Sequence, residues 1–293
     1  MSAVSTPAGP ARPTVVPAGR RLPDLGWRLL RSELRMIFGR RRNQLILASL
    51  ALIPVIIAVA VKVNDNGHNQ ASGLIGSITD NGIFVAFTAL VVVIPIFLPM
   101  SVSVVVGEAV AGEAGLGTLR YLLTVPVSRT KLLAVKLVAA LIWCLVSSAV
   151  VALVGAVIGF VLFPHGRVTL LSGTETSLLD GVWRLSIVVG YATAMMLAIA
   201  ALGLFISTLT EVPIAAMAAT LSLAITMQVL DAVPQLHAIH PWLISDYLLR
   251  FGDVLRDPMT LVGLGHGLWV AFGYLVVFTT AAWARFAGKD ITS

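Results

Sequence analysis

The chain has 293 residues, of which 58% are hydrophobic and 12% are charged, and its formal net charge is +6. Soluble domains average about 25% charged residues, so this composition excludes an ordinary soluble globular domain, and its apolar content equally excludes a disordered chain. The single cysteine, Cys144, excludes a disulfide within the chain and a cysteine-based metal site. The composition therefore predicts one membrane domain with short polar connections.

The N-terminal part divides into a tail and an amphipathic segment. Residues 1–21 are rich in Pro, Ala and Gly and lack the apolar core of a signal peptide, so we expect a disordered cytoplasmic tail. Residues 22–42 place leucines on one helical face, which predicts an interfacial helix lying on anionic membrane lipid. Three arginines lie on the opposite face of this helix: Arg28, Arg31 and Arg35. Glu33 falls on the apolar face; we expect it to snorkel to the interface, and a salt bridge to a loop or partner is the alternative.

Six apolar runs follow, and each comes close to the roughly 20 residues that a helix needs to cross a bilayer. They cover residues 45–61, 83–106, 137–163, 185–210, 212–230 and 267–284. These runs lack the period-two alternation of a membrane barrel, and lipid-exposed backbone must satisfy its hydrogen bonds internally. We therefore predict an all-α integral membrane domain with six transmembrane helices over residues 43–286, and a cytoplasmic tail at residues 287–293.

The distribution of basic residues predicts the orientation. Most of the 20 Lys and Arg lie in the N-terminal segment, the connection after the second run and the C-terminal end. The positive-inside rule then places both termini in the cytoplasm. The Ala-, Val- and Arg-rich composition suggests a bacterial plasma membrane, and membrane lipid rather than nucleic acid as the partner of the basic charge. Residues 231–266 are too polar to span and predict short helices dipping into the outer leaflet.

Charged residues are absent from the middle of every apolar run. Ion-coupled carriers and membrane enzymes with paired carboxylates usually need such residues, so the pattern disfavours both classes. Pro95 and Pro99 kink the second run; a static bend and a bend that lines or gates a pathway are both open. Ser101 and Ser103 either satisfy neighbouring backbone or contact a polar part of a substrate.

Two further pairs of residues, one of histidines and one of glycines, have a spacing that allows more than one interpretation. His237 and His240 have the separation of metal ligands on a helix, but the segment offers no obvious third ligand, so we expect no metal site. Gly155 and Gly159 allow close approach of another helix, either within the subunit or at a seam between two copies.

The connection after the second run carries the most specific pattern. Residues 107–137 open with Gly-Glu at Glu108, and residues 118–124 form an amphipathic stretch. Pro126 ends this stretch, and Ser128 can cap the next helix. Three leucines of the stretch face a partner or the membrane surface: Leu119, Leu122 and Leu123.

These residues resemble, in their order, the signature region of type-2 ABC-transporter permeases. That pattern runs Glu, a Gly-Thr pair, two or three Leu, Pro, and Ser-Arg before a Lys-bearing third span. The matching residues are Glu108, Glu113, Gly117, Thr118, Leu122, Leu123, Pro126, Ser128, Arg129 and Lys136. Family members often carry several acidic residues before Gly-Thr, where this chain has Glu113. The resemblance extends to the basic N-terminal helix, the six spans and the long outer segment.

The resemblance implies a subunit that pairs with a second permease copy or a homologue and with two ABC ATPase subunits. The cytoplasmic connection would dock on the ATPase as a coupling helix. The residues implied in this coupling are Glu108, Glu113, Thr118, Leu119, Leu122, Leu123, Pro126, Ser128 and Arg129.

The chain lacks the GxxxxGK[ST] pattern of a P-loop, so we expect no enzyme activity and no cofactor of its own, with ATP and Mg bound by the partner ATPase. The implied function is export of a hydrophobic or amphipathic substrate, such as a drug, peptide or lipid. The alternative is a partner-free channel or secondary carrier, and a lipid-modifying membrane enzyme is disfavoured.

Overall fold

The computed structural model describes residues 25–64, 81–115, 128–163, 168–169 and 175–288. The predicted tail at residues 1–21 lies outside this part of the chain. The helices are α1 (Leu25–Gly39), α2 (Arg41–Asn64), α3 (Phe84–Val93), α4 (Phe97–Ala109), α5 (Ala111–Gly115), α6 (Arg129–Leu162), α7 (Leu178–Leu209), α8 (Pro213–Asp231), α9 (Ile244–Tyr247) and α10 (Val262–Gly288). Short 3₁₀ helices cover Pro234–Leu236, His240–Trp242 and Arg250–Leu255, and β1 (Val168–Thr169) pairs antiparallel with β2 (Glu175–Thr176).

Five helices are long and apolar enough to cross a membrane: α2, α6, α7, α8 and α10. Helices α3 and α4 together are also long and apolar enough, but they are bent by 58° at a short break; they give a sixth span if the pair is counted as one. The prediction of a helical chain with apolar spans is confirmed. In the part of the chain described, the count is five continuous helices and one broken pair.

Two spans begin well before their apolar runs. Helix α6 starts at Arg129 and α7 starts at Leu178, whereas the apolar runs start at residues 137 and 185. Each start is fixed by a serine whose hydroxyl accepts a hydrogen bond from the first turn: Ser128 from Lys131 N at 3.3 Å, and Ser177 from Asp180 N at 3.2 Å. The predicted cap at Ser128 is therefore confirmed.

Helix α1 covers most of the segment at residues 22–42 that is predicted as interfacial. Helix α1 ends at Gly39, and Arg41 already belongs to α2. The side-chain amides of Asn43 and Gln44 donate to the carbonyls of Ile37 and Phe38, both at 2.9 Å. These carbonyls have no donor within α1, because they lie in its last turn, so α2 itself caps the end of α1. At the other terminus α10 extends to Gly288, into the stretch predicted as a tail.

Helix α7 lies at the centre of the bundle. In its most apolar window 72% of residues are buried, against 17% in α2, α8 and α10. It packs against α10, α6 and α4. Helix α3 is also enclosed, since residues 83–90 are all buried. The outer helices leave large apolar side chains exposed, including Ile56, Ile214 and Phe272.

Small residues bring α6 and α3 into close contact. A Cβ atom added to Gly159 would lie 1.9 Å from the carbonyl oxygen of Gly82, and one added to Gly155 would lie 2.7 Å from Cα of Ala86. Of the two alternatives for Gly155 and Gly159, the structure shows the first, close packing within the subunit.

The segment between α8 and α10 consists of short helices, as predicted. Arg184 of α7 fixes one of them: it bonds Asp180 Oδ2 at 2.7 Å and the carbonyl of Arg256 at 3.1 Å, and it also donates to the carbonyl of Val254. Tyr191 donates to the carbonyl of Tyr247 at 2.6 Å. We call this the α9 end of the bundle, and the end that holds α1, α5 and the start of α6 the α1 end.

Candidate functional site

A buried ion triad lies at the α1 end. Lys136, near the start of α6, has a side chain that is 1% exposed. Its Nζ lies 3.1 Å from Oε1 of Glu33 on α1 and 2.7 Å from Oε1 of Glu113 on α5. One ammonium group therefore joins three helices: α1, α5 and α6.

The expectation that Glu33 snorkels to the interface is wrong. Glu33 is 8% exposed and is paired with Lys136. A buried carboxylate without a partner costs several kcal/mol, and the ammonium of the facing helix removes most of that cost. The salt bridge that was the alternative is present, but its partner is the third span rather than a loop or another protein.

The triad holds two carboxylates and one ammonium. Burial raises the pKa of Glu113 above its ordinary value; the nearby Lys136 opposes this rise, and the like charge of Glu33 adds to it. The pKa of Glu113 remains raised because the effect of burial is larger than the opposing effect of Lys136.

Glu108, at the end of α4, is held by two arginines. Its Oε1 lies 2.6 Å from Nη1 of Arg42, and its other oxygen pairs with Arg40. The arginine side chains are more than 40% exposed, so solvent screens each pair and each adds little to the stability of the fold. The arrangement ties the junction of α1 and α2 to the end of the broken span.

Ser207 of α7 holds the chain where α4 passes into α5. Its hydroxyl donates to the carbonyl of Gly107 at 2.9 Å and accepts from the amides of Val110 and Ala111 at 3.1 and 2.9 Å. Sequence reasoning missed this residue, because its one signal was a hydroxyl inside an apolar run. Most such hydroxyls bond their own helix, as Thr193 does.

The predicted coupling residues fall into three groups. Glu108 and Glu113 are brought to the α1 end by the contacts above. Ser128 and Arg129 lie at the start of α6, where Arg129 donates to the carbonyl of Phe286 at 3.1 Å. The other five lie outside the described residues, so the docking helix stays a prediction: Thr118, Leu119, Leu122, Leu123 and Pro126.

The three arginines of α1 lie as the helical pattern predicts. Arg28, Arg31 and Arg35 are all exposed, whereas Glu33 faces the bundle. The contact of these arginines with lipid stays a prediction.

The residues predicted to form a kink or a pathway lie at and after the break between α3 and α4. Pro99, Ser101 and Ser103 are buried, and Pro95 is partly buried. Ser101 accepts from Nε1 of Trp143 at 3.0 Å, and Ser103 donates to the carbonyl of Pro99 at 2.7 Å. The predicted kink is confirmed, and both hydroxyls are satisfied within the subunit.

The histidine pair offers no metal centre in the part of the chain described. Among these residues no group of three His, Cys, Asp or Glu side chains could hold a metal ion. Nδ1 of His240 lies 4.0 Å from Oδ1 of Asp231, and His237 is exposed.

A cavity of about 400 Å³ lies beside the triad. Helix α1 contributes one wall, α4 and α5 contribute another, and α6 adds Leu132 and Val135. The lining combines apolar side chains with Glu33, Glu108 and Glu113, so the cavity and the ion pairs occupy the same end of the bundle.

The comparison with known families returned a match over most of the chain. The model of a family described as protein of unknown function (DUF2705) matches residues 46–292, from the first apolar run to the C-terminal end. The comparison with curated proteins gave no match. The matched range includes all the helices from α3 to α10 and most of α2, and the chain therefore belongs to the DUF2705 family.

Proposed function

We propose that the chain is the permease subunit of an ABC transporter, which exports a hydrophobic or amphipathic substrate with ATP hydrolysed by a separate ATPase. The proposal rests on the signature-like residues of the connection between α4 and α6. The observation that carries it is the anchoring of this connection at both of its ends.

The anchoring supports a role in transmitting force. On one side of residues 116–127, Glu113 is bonded to Lys136, and Ser207 holds the junction before α5. On the other side, Trp283 of α10 donates to Thr130 at 2.9 Å. A protein that moves residues 116–127 would therefore act on α1, α6, α7 and α10 together, which is what coupling to an ATPase requires.

The distribution of tryptophan supports a position within a bilayer. Every tryptophan except the buried Trp143 is exposed. Trp27 and Trp283 belong to the α1 end; Trp183, Trp242 and Trp269 belong to the α9 end. Tryptophan is enriched at the two membrane–water interfaces, so we place these groups there, with the α1 end and both termini in the cytoplasm.

Assembly with a second permease copy or a homologue is part of the proposal. The exposed apolar side chains of α2, α8 and α10 leave lipid or another apolar span as their neighbour. Two copies would provide about twice the spans to enclose a pathway, and each copy would bind one of two ATPase subunits.

The test is purification of the tagged chain from its own cells in mild detergent, followed by measurement of ATP hydrolysis and of transport in vesicles. We expect a P-loop ATPase in a 1:1 ratio with the permease. Leu122→Asp and Leu123→Asp should abolish its co-purification while the chain still inserts, because charge at these positions prevents docking in an apolar groove. Glu108→Ala should keep the ATPase and lower the transport per ATP hydrolysed.

Leu249→Asp is the matched control, since Leu249 is an exposed leucine at the α9 end. It should insert and retain the ATPase. Transport by the chain alone without an ATPase would support a secondary carrier or channel and contradict the proposal. Unchanged partner binding in Leu122→Asp and Leu123→Asp would show that the connection does not dock.

A further inference from the structure

Two arginines converge on one carboxylate where α1 passes into α2. Nη1 of Arg42 lies 2.6 Å from Oε1 of Glu108, and Nη1 of Arg40 pairs with the other oxygen of the same carboxylate. Both guanidinium groups therefore point at one position, which a carboxylate of the chain itself occupies. We call Arg40 and Arg42 the arginine pair.

The arginine pair carries more positive charge than Glu108 balances. In the part of the chain that the structure describes, Glu108 is the one acid that pairs with it, so two cations face one anion. The further partner of Arg42 is the side-chain oxygen of Asn43, which is neutral. Arg41 lies between the two and is exposed, without an acidic partner among the same residues. The site therefore keeps a net positive charge while Glu108 is bound.

The position of Glu108 is open to exchange with another anion. The side chains of the arginine pair are exposed, and the side chain of Glu108 is 21% exposed. Exposed ion pairs contribute little free energy, because water and salt screen them. The N–H groups of a guanidinium form a fork that fits a phosphate as well as a carboxylate. A phosphate that reaches the arginine pair therefore competes with Glu108 on similar terms.

The arginine pair lies at the depth of lipid headgroups when α2 crosses a bilayer. Helix α2 starts at Arg41, and its apolar run starts at Leu45, four residues later. Four residues of helix rise about 6 Å. The headgroup region extends about 5–8 Å beyond the hydrocarbon core on each side. The phosphates of the membrane are therefore the anions nearest to the site.

An apolar cavity adjoins the arginine pair. Arg40 and Glu108 line the cavity of about 400 Å³ beside the ion triad, together with apolar side chains that include Leu29, Val105 and Leu132. This volume is within the range of small-molecule pockets. The carboxylates of the lining are all paired with cations. A cationic group next to a surface for hydrocarbon favours a lipid over a free phosphate ion.

We propose that Arg40 and Arg42 bind the phosphate of an anionic phospholipid in exchange for Glu108. The phosphate accepts charge-assisted hydrogen bonds from both guanidinium groups, and it brings the second negative charge that two arginines can balance. Glu108, at the end of α4, is then released from the junction of α1 and α2. The inference needs α2 to span a membrane but needs neither an ATPase nor transport, so it stands or fails apart from the proposed function.

Native mass spectrometry of the full-length chain in detergent tests the site. The protein is incubated with equal amounts of phosphatidylglycerol and phosphatidylcholine that have identical acyl chains. We expect selective retention of phosphatidylglycerol. Arg40→Gln and Arg42→Gln should each lower this retention about fivefold, the contribution of one arginine near an anionic lipid surface.

Arg31→Gln is the matched control, because Arg31 is an exposed arginine of α1 that does not pair with Glu108. It should retain phosphatidylglycerol as the unchanged protein does. Glu108→Gln should raise the retention, since it removes the competing carboxylate and keeps the size of the side chain. Lower retention in this variant would contradict the exchange.

Two other results would overturn the proposal. Equal retention of the two lipids would leave the arginine pair to an acidic protein partner. An equal loss in Arg31→Gln and Arg40→Gln would identify diffuse adsorption of lipid to the basic helix.

A second measurement needs no variant. Carbodiimide activates a free carboxylate for coupling to a soluble amine such as glycine ethyl ester. In vesicles of phosphatidylcholine, added phosphatidylglycerol should increase the labelling of Glu108, because the lipid frees its carboxylate. Glu211, an exposed glutamate in the turn between α7 and α8, is the internal reference for the local concentration of reagent. A ratio of Glu108 to Glu211 labelling that does not change with phosphatidylglycerol would contradict the release of Glu108.

Discussion

Lys136 determines the charge balance of the α1 end. Its ammonium group is buried, and it neutralises part of the charge of two carboxylates that come from separate helices. Removal of one member of such a cluster leaves the others buried without compensation, which costs more than the intact cluster contributes. The contacts of α1 and of α5 with α6 therefore depend on the same ammonium group.

Lys136→Met should destabilise the protein by about 3–5 kcal/mol, because the carboxylates of Glu33 and Glu113 then lose their counter-charge. The measurement is the thermal unfolding of the detergent-solubilised protein, followed by tryptophan fluorescence. Lys131→Met is the control. Lys131 lies on the same helix, and its Cε atom lies 3.2 Å from a Cβ atom added to Gly26, so methionine fills the same space beside α1.

The triple substitution Glu33→Gln, Lys136→Met and Glu113→Gln should recover most of the loss, since it removes all three charges together. A triple variant as unstable as Lys136→Met would show that Lys136 acts through packing rather than through charge.

The sequence shows that Glu33 is a charged residue on an apolar helical face. It does not show which residue Glu33 pairs with. A charge on an apolar helical face requires a partner or a route to water. The pair with Lys136 spans 103 residues of sequence, and no helical period relates the two positions. Contacts within one turn, such as the cap at Ser128, follow from local sequence, whereas this ion pair depends on how α1 crosses α6.

The broken span is held at its bend by a neighbouring helix. Pro99 has no N–H group, so the carbonyl of Pro95 four residues earlier has no donor in the chain's own helix. The side-chain amide of Gln228 on α8 donates to this carbonyl. The backbone carbonyl at the bend between α3 and α4 thus has a hydrogen-bond donor, although it lies among apolar helices.

Gln228→Ala should destabilise the protein by about 1–3 kcal/mol, because the carbonyl of Pro95 loses its donor in an apolar environment. Pro99→Ala in the same chain should recover part of that loss by supplying a backbone N–H. Thr226→Ala is the control, since Thr226 is exposed and bonds its own helix at Ser222. Additive effects of the two substitutions would contradict the proposed relation between Gln228 and Pro99.

Gly159→Ala should cost about 1–3 kcal/mol through overpacking, because the new methyl group meets the backbone of Gly82. Gly190→Ala provides the control: Gly190 also lies within a long helix, but nothing is within 4 Å of its added Cβ. That variant should be neutral or slightly more stable by helix propensity. Equal thermal midpoints for the two variants would contradict the close packing of α3 on α6.

Apolar runs predict the helices well because a spanning segment must bury its side chains in lipid or protein over its whole length. Their ends are predicted less well. Helices α6 and α7 continue past the apolar residues, and their first turns carry Arg129, Lys131 and Asp180. Water or capping side chains satisfy the backbone there, so hydrophobicity no longer marks the end of the helix.

At the scale of the whole molecule, the two ends of the bundle should lie on opposite sides of the membrane. After replacement of Cys144 by Ser, Ala238→Cys at the α9 end should react with a membrane-impermeant thiol reagent on intact cells. Ser128→Cys at the α1 end should react only after lysis. Ala238 and Ser128 are both exposed, so accessibility to the reagent reports the side of the membrane. The reverse pattern of labelling would overturn the orientation.

The sequence distance between Glu33 and Lys136 also sets the order in which the protein can be built. A ribosome adds about 5–20 residues per second, so roughly 5–20 seconds of synthesis separate the 103 positions between the two residues. Glu113 is likewise made before Lys136. Both carboxylates are synthesised before the lysine that they share. Helix α1 can therefore dock in its final position only after the third span has entered the bilayer. Of the helices that the structure describes, the first to be synthesised thus docks only after the third span has been made.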